Sequence, residues 1–380
     1  MSKSFQKIGS YISILDNRNT DGSITNLMGI SIDKCYIPSV ANVIGTDLRN
    51  YKVIRKGQFA CSLMQVSRDQ KIPLAMYSFD QPAIMSPAYV LFEVNRLDEL
   101  LPEYMELWFK RAEFDREASF YAVGGVRGSL DWEDFCNMRL PVPSINEQSR
   151  IVHAYKVVTD RIALLERINQ NLHQQAESIF NKFYDESEEQ KTFTSLISVL
   201  GGGTPKTGNP EFWDGSIPFF TPKDVGSPYT FQTEKYITES GLNHCNSRLY
   251  PKNTSFVTAR GTVGKVSLAG KPMAMNQSCY ALASETIDPL LVYFYTLRAV
   301  DSLKHKASGA VFDAIVTRDF DSEIISVLPD EAAQTVLSAI TPMMEAIHNN
   351  AEENIRLTLL RDLLLPKLMS GEIDVSDINL

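Results

Sequence analysis

The sequence predicts an α+β protein in which two mixed, strand-rich domains alternate with two long helices that pair as an antiparallel coiled coil. The first ground is an internal repeat at an offset of 188 residues: Phe5 answers to Phe193, Ile8 to Leu196, and Leu140-Pro141 to Leu328-Pro329. Between these anchors Ser86-Pro87-Ala88-Tyr89 faces Gln277-Ser278-Cys279-Tyr280, and the apolar stretch Leu101 to Lys110 matches Leu290 to Arg298. The second ground is that each copy ends in a helix of heptad pattern. The third is length, since 380 residues call for several compact pieces. Two such copies make a two-headed molecule, suited to touching two places on one extended partner.

Residues 1–143 form the first mixed domain, with short β-prone runs, many turn signals and one clear helix near Asp98–Glu117. Residues 144–186 form the first long helix. Ser144 with Glu147 three later reads as its capping box. Its apolar seam is Ile151, Tyr155, Val158, Ile162, Leu165, Asn169, Leu172, Ala176, Ile179 and Phe183, spaced 4-3-4-3 over about four heptads. Asn169 either fixes register as a buried amide or faces solvent at a helix edge. Asp185 to Lys191, rich in Glu and Ser, reads as a solvated linker. Residues 187–329 repeat the mixed domain, with a helix near Asp288–His305. Residues 330–380 carry the second seam: Leu337, Ile340, Met344, Ile347 and Ala351, then Ile355, Leu359 and Leu363 at every fourth position. That change of spacing predicts a stutter, and Pro342 predicts a kink or restart. Neither seam has a partner within its own segment, so the two are expected to pack on each other.

Composition is ordinary for a globular protein, 44% hydrophobic and 22% charged. The first residues lack an apolar core of signal-peptide length, and no apolar run is long enough to suggest a membrane span. Five scattered cysteines without a C-x-x-C pair favour reduced thiols in the cytoplasm. Net charge is −9, and the last 51 residues hold 3 basic and 9 acidic side chains. The two mixed domains are therefore near neutral, which permits a basic face without showing one.

Catalytic motifs are missing. Gly261-Thr262-Val263-Gly264-Lys265-Val266 is too short for a phosphate-binding loop and ends in Val. Asn209-Pro210-Glu211-Phe212 departs from the amino-methyltransferase tetrapeptide, with Glu for the second Pro and no glycine-rich cofactor loop upstream. The five histidines show no metal-ligand spacing, and His244-Cys245 reads as a turn residue beside a small thiol. Contact chemistry is better represented. Gly201-Gly202-Gly203-Thr204-Pro205-Lys206, followed by Thr207, Asn209, Trp213, Lys223 and Asp224, is rich in glycine, hydroxyls and lysine. Such groups contact phosphates and base edges, although tight turns in a β-rich domain would look the same. Arg260 and Lys265 lie on one turn, and Arg offers two donors matching guanine O6 and N7. Arg49, Asn50 and Lys52, with Arg127 in Gly124-Gly125-Val126-Arg127-Gly128, supply comparable chemistry in the first copy. Trp108 and Trp132 read as core.

On these residues the chain resembles the specificity (S) subunits of type I restriction–modification systems, over essentially its whole length. Gly201 to Val225 looks like the opening of one common target-recognition domain type, and Arg260 to Lys265, Asn276-Gln277 and Ser308-Gly309-Ala310 fit it further on. Leu140-Pro141-Val142-Pro143-Ser144-Ile145-Asn146-Glu147-Gln148 is similar to the family's passage into the first spacer helix. Leu364-Leu365-Pro366-Lys367-Leu368-Met369-Ser370-Gly371-Glu372-Ile373 looks like its C-terminal ending. The first domain departs from this type: it lacks the Gly-Gly-Gly-Thr-Pro opening, and Tyr51-Lys52-Val53-Ile54 and Ser86-Pro87-Ala88-Tyr89 look like another subtype. At the second junction Asp330-Glu331-Ala332-Ala333-Gln334 loosens the Glu-Gln pairing. The resemblance implies a non-catalytic subunit that reads double-stranded DNA, with no cofactor or metal of its own. Two methyltransferase (M) subunits would bring S-adenosylmethionine, and restriction (R) motor-nuclease subunits would bring ATP and Mg. Two unlike heads on a helical rod, roughly 55 Å long at about 1.5 Å per residue, imply an asymmetric two-part target with an unread gap. Two rivals are an antirestriction decoy or interaction protein without specific DNA binding, and a self-contained methyltransferase or nuclease.

Overall fold

The computed structural model describes residues 5–39, 45–64, 66–122, 128–226, 228–306, 314–376 and 378. Packing divides the chain into two units, residues 1–161 with 357–380, and residues 162–356. Each unit thus takes a mixed head and one end of each long helix.

In the first unit an antiparallel sheet runs in the order Ile12–Leu15, Val90–Val94, Phe59–Cys61, Leu74–Met76. Phe59, Ala60 and Cys61 are all buried, as a central strand covered on both faces requires. Phe92 and Phe59 stack at 5.1 Å, and Phe109, Phe114 and Phe135 surround them. Trp108 lies in this core. The head is closed by Phe5–Lys7 pairing antiparallel with Arg139–Pro141, just before the first long helix. The helix expected over Asp98–Glu117 is two helices, Pro102–Phe109 and Ala112–Tyr121. The break has a visible cause: the buried Lys34 ammonium donates to the Phe109 carbonyl, and the Arg111 guanidinium sits 3.9 Å above the Trp108 ring.

The second unit repeats the order as Ser198–Gly201, Cys279–Ala283, Ser255–Thr258, Val266–Ala269, with Tyr229–Thr230 added in parallel at the edge. Gln190–Thr192 pairs with Ile324–Ser326, so the last two residues of the expected linker open a strand, and its first two end the first long helix. The Ile8 amide donates to Met138 O at 2.9 Å, and the Phe193 amide to Glu323 O at 2.8 Å. These equivalent bonds correct the repeat. At the head closures Ile8 answers to Phe193 and Met138 to Glu323, three residues short of the sequence offset. The sequence pairing of Phe5 with Phe193 matched an exposed ring (50%) to a buried one (0%).

The first long helix spans Ile145–Glu186 and the second Asp330–Ser370. The Ser144 hydroxyl accepts from the Glu147 amide at 3.3 Å. Gln148 is wholly buried: Oε1 accepts from Leu101 N, and Nε2 donates to Glu99 O and Pro143 O. This side chain pins the start of the helix to the head. In the first unit Ile151, Tyr155 and Val158 are buried, and Leu365, Leu368 and Met369 share a core with Ile151 and Tyr155. In the second unit Leu165, Asn169, Ile340, Met344 and Ile347 are buried, while Ile162 and Leu172 are half-buried. Asn169 Oδ1 accepts from Asn350 Nδ2 at 2.8 Å, and Asn354 Nδ2 donates to Ile162 O at 3.4 Å. Rising numbers on one helix meet falling numbers on the other, so the pairing is antiparallel.

Three expectations fail on the helices. The second helix is unbroken through Pro342. The stutter is absent: Leu359 and Leu363 are 57% and 65% exposed. Partly buried Asn354, Thr358 and Arg361 continue the 4-3 spacing from Ile347 and Ala351 to Leu365 and Leu368. Polar residues occupy the seam there, and apolar spacing alone followed the wrong face. On the first helix the inward positions after Ala176 are Phe180 and Tyr184, with Ile179 and Phe183 only half-buried. The reason is tertiary: Phe180 stacks on Phe294 at 5.4 Å and meets Tyr295 edge-on at 5.2 Å. Both belong to the head helix Pro289–Lys306.

His173 lies at this contact, its Nε2 2.8 Å from the Tyr293 hydroxyl. Burial holds the imidazole below its ordinary pKa, opposed by Glu177. As pH falls from about 6.5 the unfolded chain takes up this proton before the folded one, so stability is present above that pH and lost below it. His173→Gln is expected to flatten thermal stability between pH 7 and 5. An unchanged pH slope would show that His173 is not the sensor.

Candidate nucleic-acid interface

The second head gathers its candidate contacts on neighbouring turns. Gly203 N donates to Met275 O at 3.2 Å, and the Thr204 hydroxyl bonds Gln277 Oε1. The Gly201 to Thr204 segment is thereby stitched to Met275 to Gln277, which sequence spacing alone does not reveal. Lys206 and Thr207 are exposed, and Lys206 O accepts from Asn209 N and Trp213 Nε1. Asn209 is structural, since its Oδ1 caps the turn Pro210–Phe212 by accepting from Glu211 N at 3.2 Å. Asp224 brackets the next turn: Oδ2 accepts from Thr221 N and its hydroxyl, and Oδ1 from Glu234 N. Lys223 extends from that turn, 3.4 Å from Glu234, with both side chains well exposed.

Arg260 and Lys265 sit on the hairpin tip between Ser255–Thr258 and Val266–Ala269. The Thr258 hydroxyl shapes this tip by donating to Thr262 O and accepting from Lys265 N. Thr262 donates to Pro222 O at 3.2 Å, tying the tip to the Thr221–Asp224 turn. Arg260 is exposed, and its guanidinium has no hydrogen bond or ion pair among the described residues; its backbone is held by Ser278 O at 3.3 Å. A fixed backbone carrying a free guanidinium suits base-edge or phosphate contact. Lys265 borders a cleft of about 630 Å³ shared with Lys304, Arg298, Asp301 and Glu177.

The first head differs. Arg49 is locked in a two-point ion pair with Asp47, both contacts at 3.0 Å. Asn50 is exposed, with its carbonyl taken by Arg18. The Lys52 side chain is only 12% exposed and its ammonium donates to Tyr89 O at 2.7 Å; burial holds it below the usual lysine range, opposed by Asp16. Lys52 is thus spent inside the head, against its sequence reading. Arg127 lies outside the described residues, as do Ser308-Gly309-Ala310. Among the described residues no cluster of His, Cys, Asp or Glu is arranged to hold a metal, and no helix is long and apolar enough to cross a membrane.

Two heads of one sheet order, each closed by a strand pair onto a long helix, define a tandem head-and-helix protein. Residues 186–359 match the family described as Type I restriction modification DNA specificity domain. The chain is 27% identical over 170 residues to the MjaIX type I restriction enzyme specificity subunit of Methanocaldococcus jannaschii, covering 43% of this chain and 39% of that one. It is 28% identical over 190 residues to the HindI specificity subunit of Haemophilus influenzae, covering 49% and 41%. The chain thus spans about two fifths of the length of these curated relatives. The crystal structure of a type I restriction–modification S subunit from M. genitalium aligns with a TM-score of 0.60 at 12% identity, over 97% of this chain and 96% of that one. Residues 186–359 are thus similar to the type I specificity domain family, and the chain as a whole shares the fold of that S subunit.

Proposed function

We propose that the chain is the DNA-reading subunit of a type I restriction–modification complex, in which each head reads its own half of an asymmetric two-part site. The observation that carries this reading is the Arg260 tip, a free guanidinium on a fixed hairpin within the matched specificity domain. The chain performs no chemistry itself; partner methyltransferase subunits hold S-adenosylmethionine and flip the target adenine, and motor-nuclease subunits use ATP and Mg. Near-neutral heads offer few phosphate contacts, so partner subunits supply much of the affinity.

Methylated-adenine sequencing of a host carrying the complete system tests the two-part site. Arg260→Ala is expected to relax one half-site by about 1–3 kcal/mol for the correct base and leave the other unchanged. A uniform loss on all sequences would assign Arg260 to phosphate instead.

A further inference from the structure

The two hairpin tips leave corresponding strands of the two sheets but carry different chemistry. Ile12 pairs with Val94 and Ser198 with Ala283; on the next strands Phe59 pairs with Phe92 and Phe256 with Ala281. Counting outward from these pairs places Leu63-Met64 of the first head where the second has Arg260-Gly261. Tyr89 likewise falls where the second head has Ser278. Each tip is anchored by a backbone bond, one position apart in this register: Leu63 O accepts from Leu130 N and Ala259 O from Ile315 N, each at 2.9 Å.

One position beyond the place of the second head's guanidinium, the first head presents a methionine: Met64 is 56% exposed. Met64 stands on an open slot of about 400 Å³ whose walls include Met28, Ile37, Tyr51 and Tyr89. Among the described residues no charged side chain lines this slot, and Ile37 is itself 37% exposed at its edge. Without a cation the slot lacks the charge that dominates phosphate contact. In the major groove the apolar feature of a base pair is the thymine 5-methyl group, which apolar side chains read by contact.

We infer that the Met64 slot reads a thymine 5-methyl group in the half-site of the first head. This rests on the proposed DNA-reading function and names what the first head recognises. The two heads then discriminate by different physics, a charged donor on one tip and an apolar surface on the other.

The test uses the complete methyltransferase complex and duplexes of its recognised sequence, with each thymine replaced in turn by deoxyuridine. At one thymine or more, uracil is expected to weaken binding about fourfold, the worth of one buried methyl group. Met64→Ala should abolish that thymine preference, while Met64→Leu should largely keep it. Because Met64 is exposed, neither change threatens the fold. A complex indifferent to uracil at every thymine overturns the inference, as does a preference that survives in Met64→Ala. Both results leave the DNA-reading function standing if the complex still prefers its own sequence to a scrambled duplex. Equal binding to the scrambled duplex overturns both.

Discussion

Asp115→Ala is expected to lower the unfolding free energy of the first unit by about 3–5 kcal/mol, the usual cost of stranding one partner of a buried ion pair. Asp115 Oδ1 lies 2.8 Å from Lys34 Nζ, and the two side chains are 12% and 7% exposed. The same oxygen accepts from the Ile72 amide at 3.1 Å. Removing it leaves a buried ammonium with only the Phe109 carbonyl and a buried amide with no acceptor. Burial already holds Lys34 below the usual lysine range, with Asp115 opposing that shift. Lys34 fixes the loop that leads into Tyr36–Pro38, so the damage reaches the slot beneath Met64. Chemical denaturation of wild type, Asp115→Ala and the Lys34→Met/Asp115→Leu double variant measures this. Partial recovery in the double variant is expected, because two apolar groups leave no orphaned charge and only the Ile72 amide stays without its acceptor. A loss below about 1 kcal/mol in Asp115→Ala, the scale of an exposed pair, would refute the assignment.

Gly202→Ala is expected to cost about 3 kcal/mol or more, at the upper end of overpacking penalties. A Cβ on Gly202 would lie 2.2 Å from Asn276 O and 2.7 Å from Asn276 C and Met275 O, all backbone atoms without a rotamer to escape into. On Gly201 a Cβ meets nothing within 4 Å. The paired variants therefore separate steric need from composition: Gly201→Ala should leave the melting temperature near wild type, and Gly202→Ala should not. Equal melting temperatures would mean the segment around Asn276, just past the strand Ala274–Met275, gives way. Gly203 is confined too, since a Cβ there would lie 2.6 Å from the Asn246 amide nitrogen. Two of the three glycines in this motif are thus demanded by close backbone approach.

Periodicity was a good guide where burial was continuous. Ile151, Tyr155, Leu165 and Ile340 to Ile347 follow their heptads because each faces an apolar neighbour. It misled where a seam turned polar, at Asn354, Thr358 and Arg361, and where another element intruded, as Phe294 and Tyr295 do at Phe180. The offset error had a similar origin: aligning Phe5 with Phe193 matched residue type, whereas backbone pairing aligns Ile8 with Phe193. In the candidate interface, residue chemistry identified the Arg260 tip but not partners. Lys52 and Arg49 read as contact residues; three-dimensional packing brings Tyr89 O to Lys52, whereas Arg49 pairs with Asp47 two residues away on the same turn. Met64 gave no signal, since a lone methionine beside a turn has no pattern until the two sheets are laid in register.

The composition of the first unit has a consequence for biosynthesis. Leu365, Leu368, Met369 and Val375 belong to the same core as Phe59, Phe92 and Phe109. The head made first therefore lacks part of its interior until residues 365–375 have been synthesised. Synthesis of the intervening stretch takes roughly 10–40 s at about 5–20 residues per second. Throughout that interval the apolar face around Ile151 and Tyr155 is open, and a nascent chain in that state is a natural client for chaperones. The second unit, residues 162–356, is contiguous and has no such wait. Order of synthesis and order of completion are thus reversed: the second head is finished before the first.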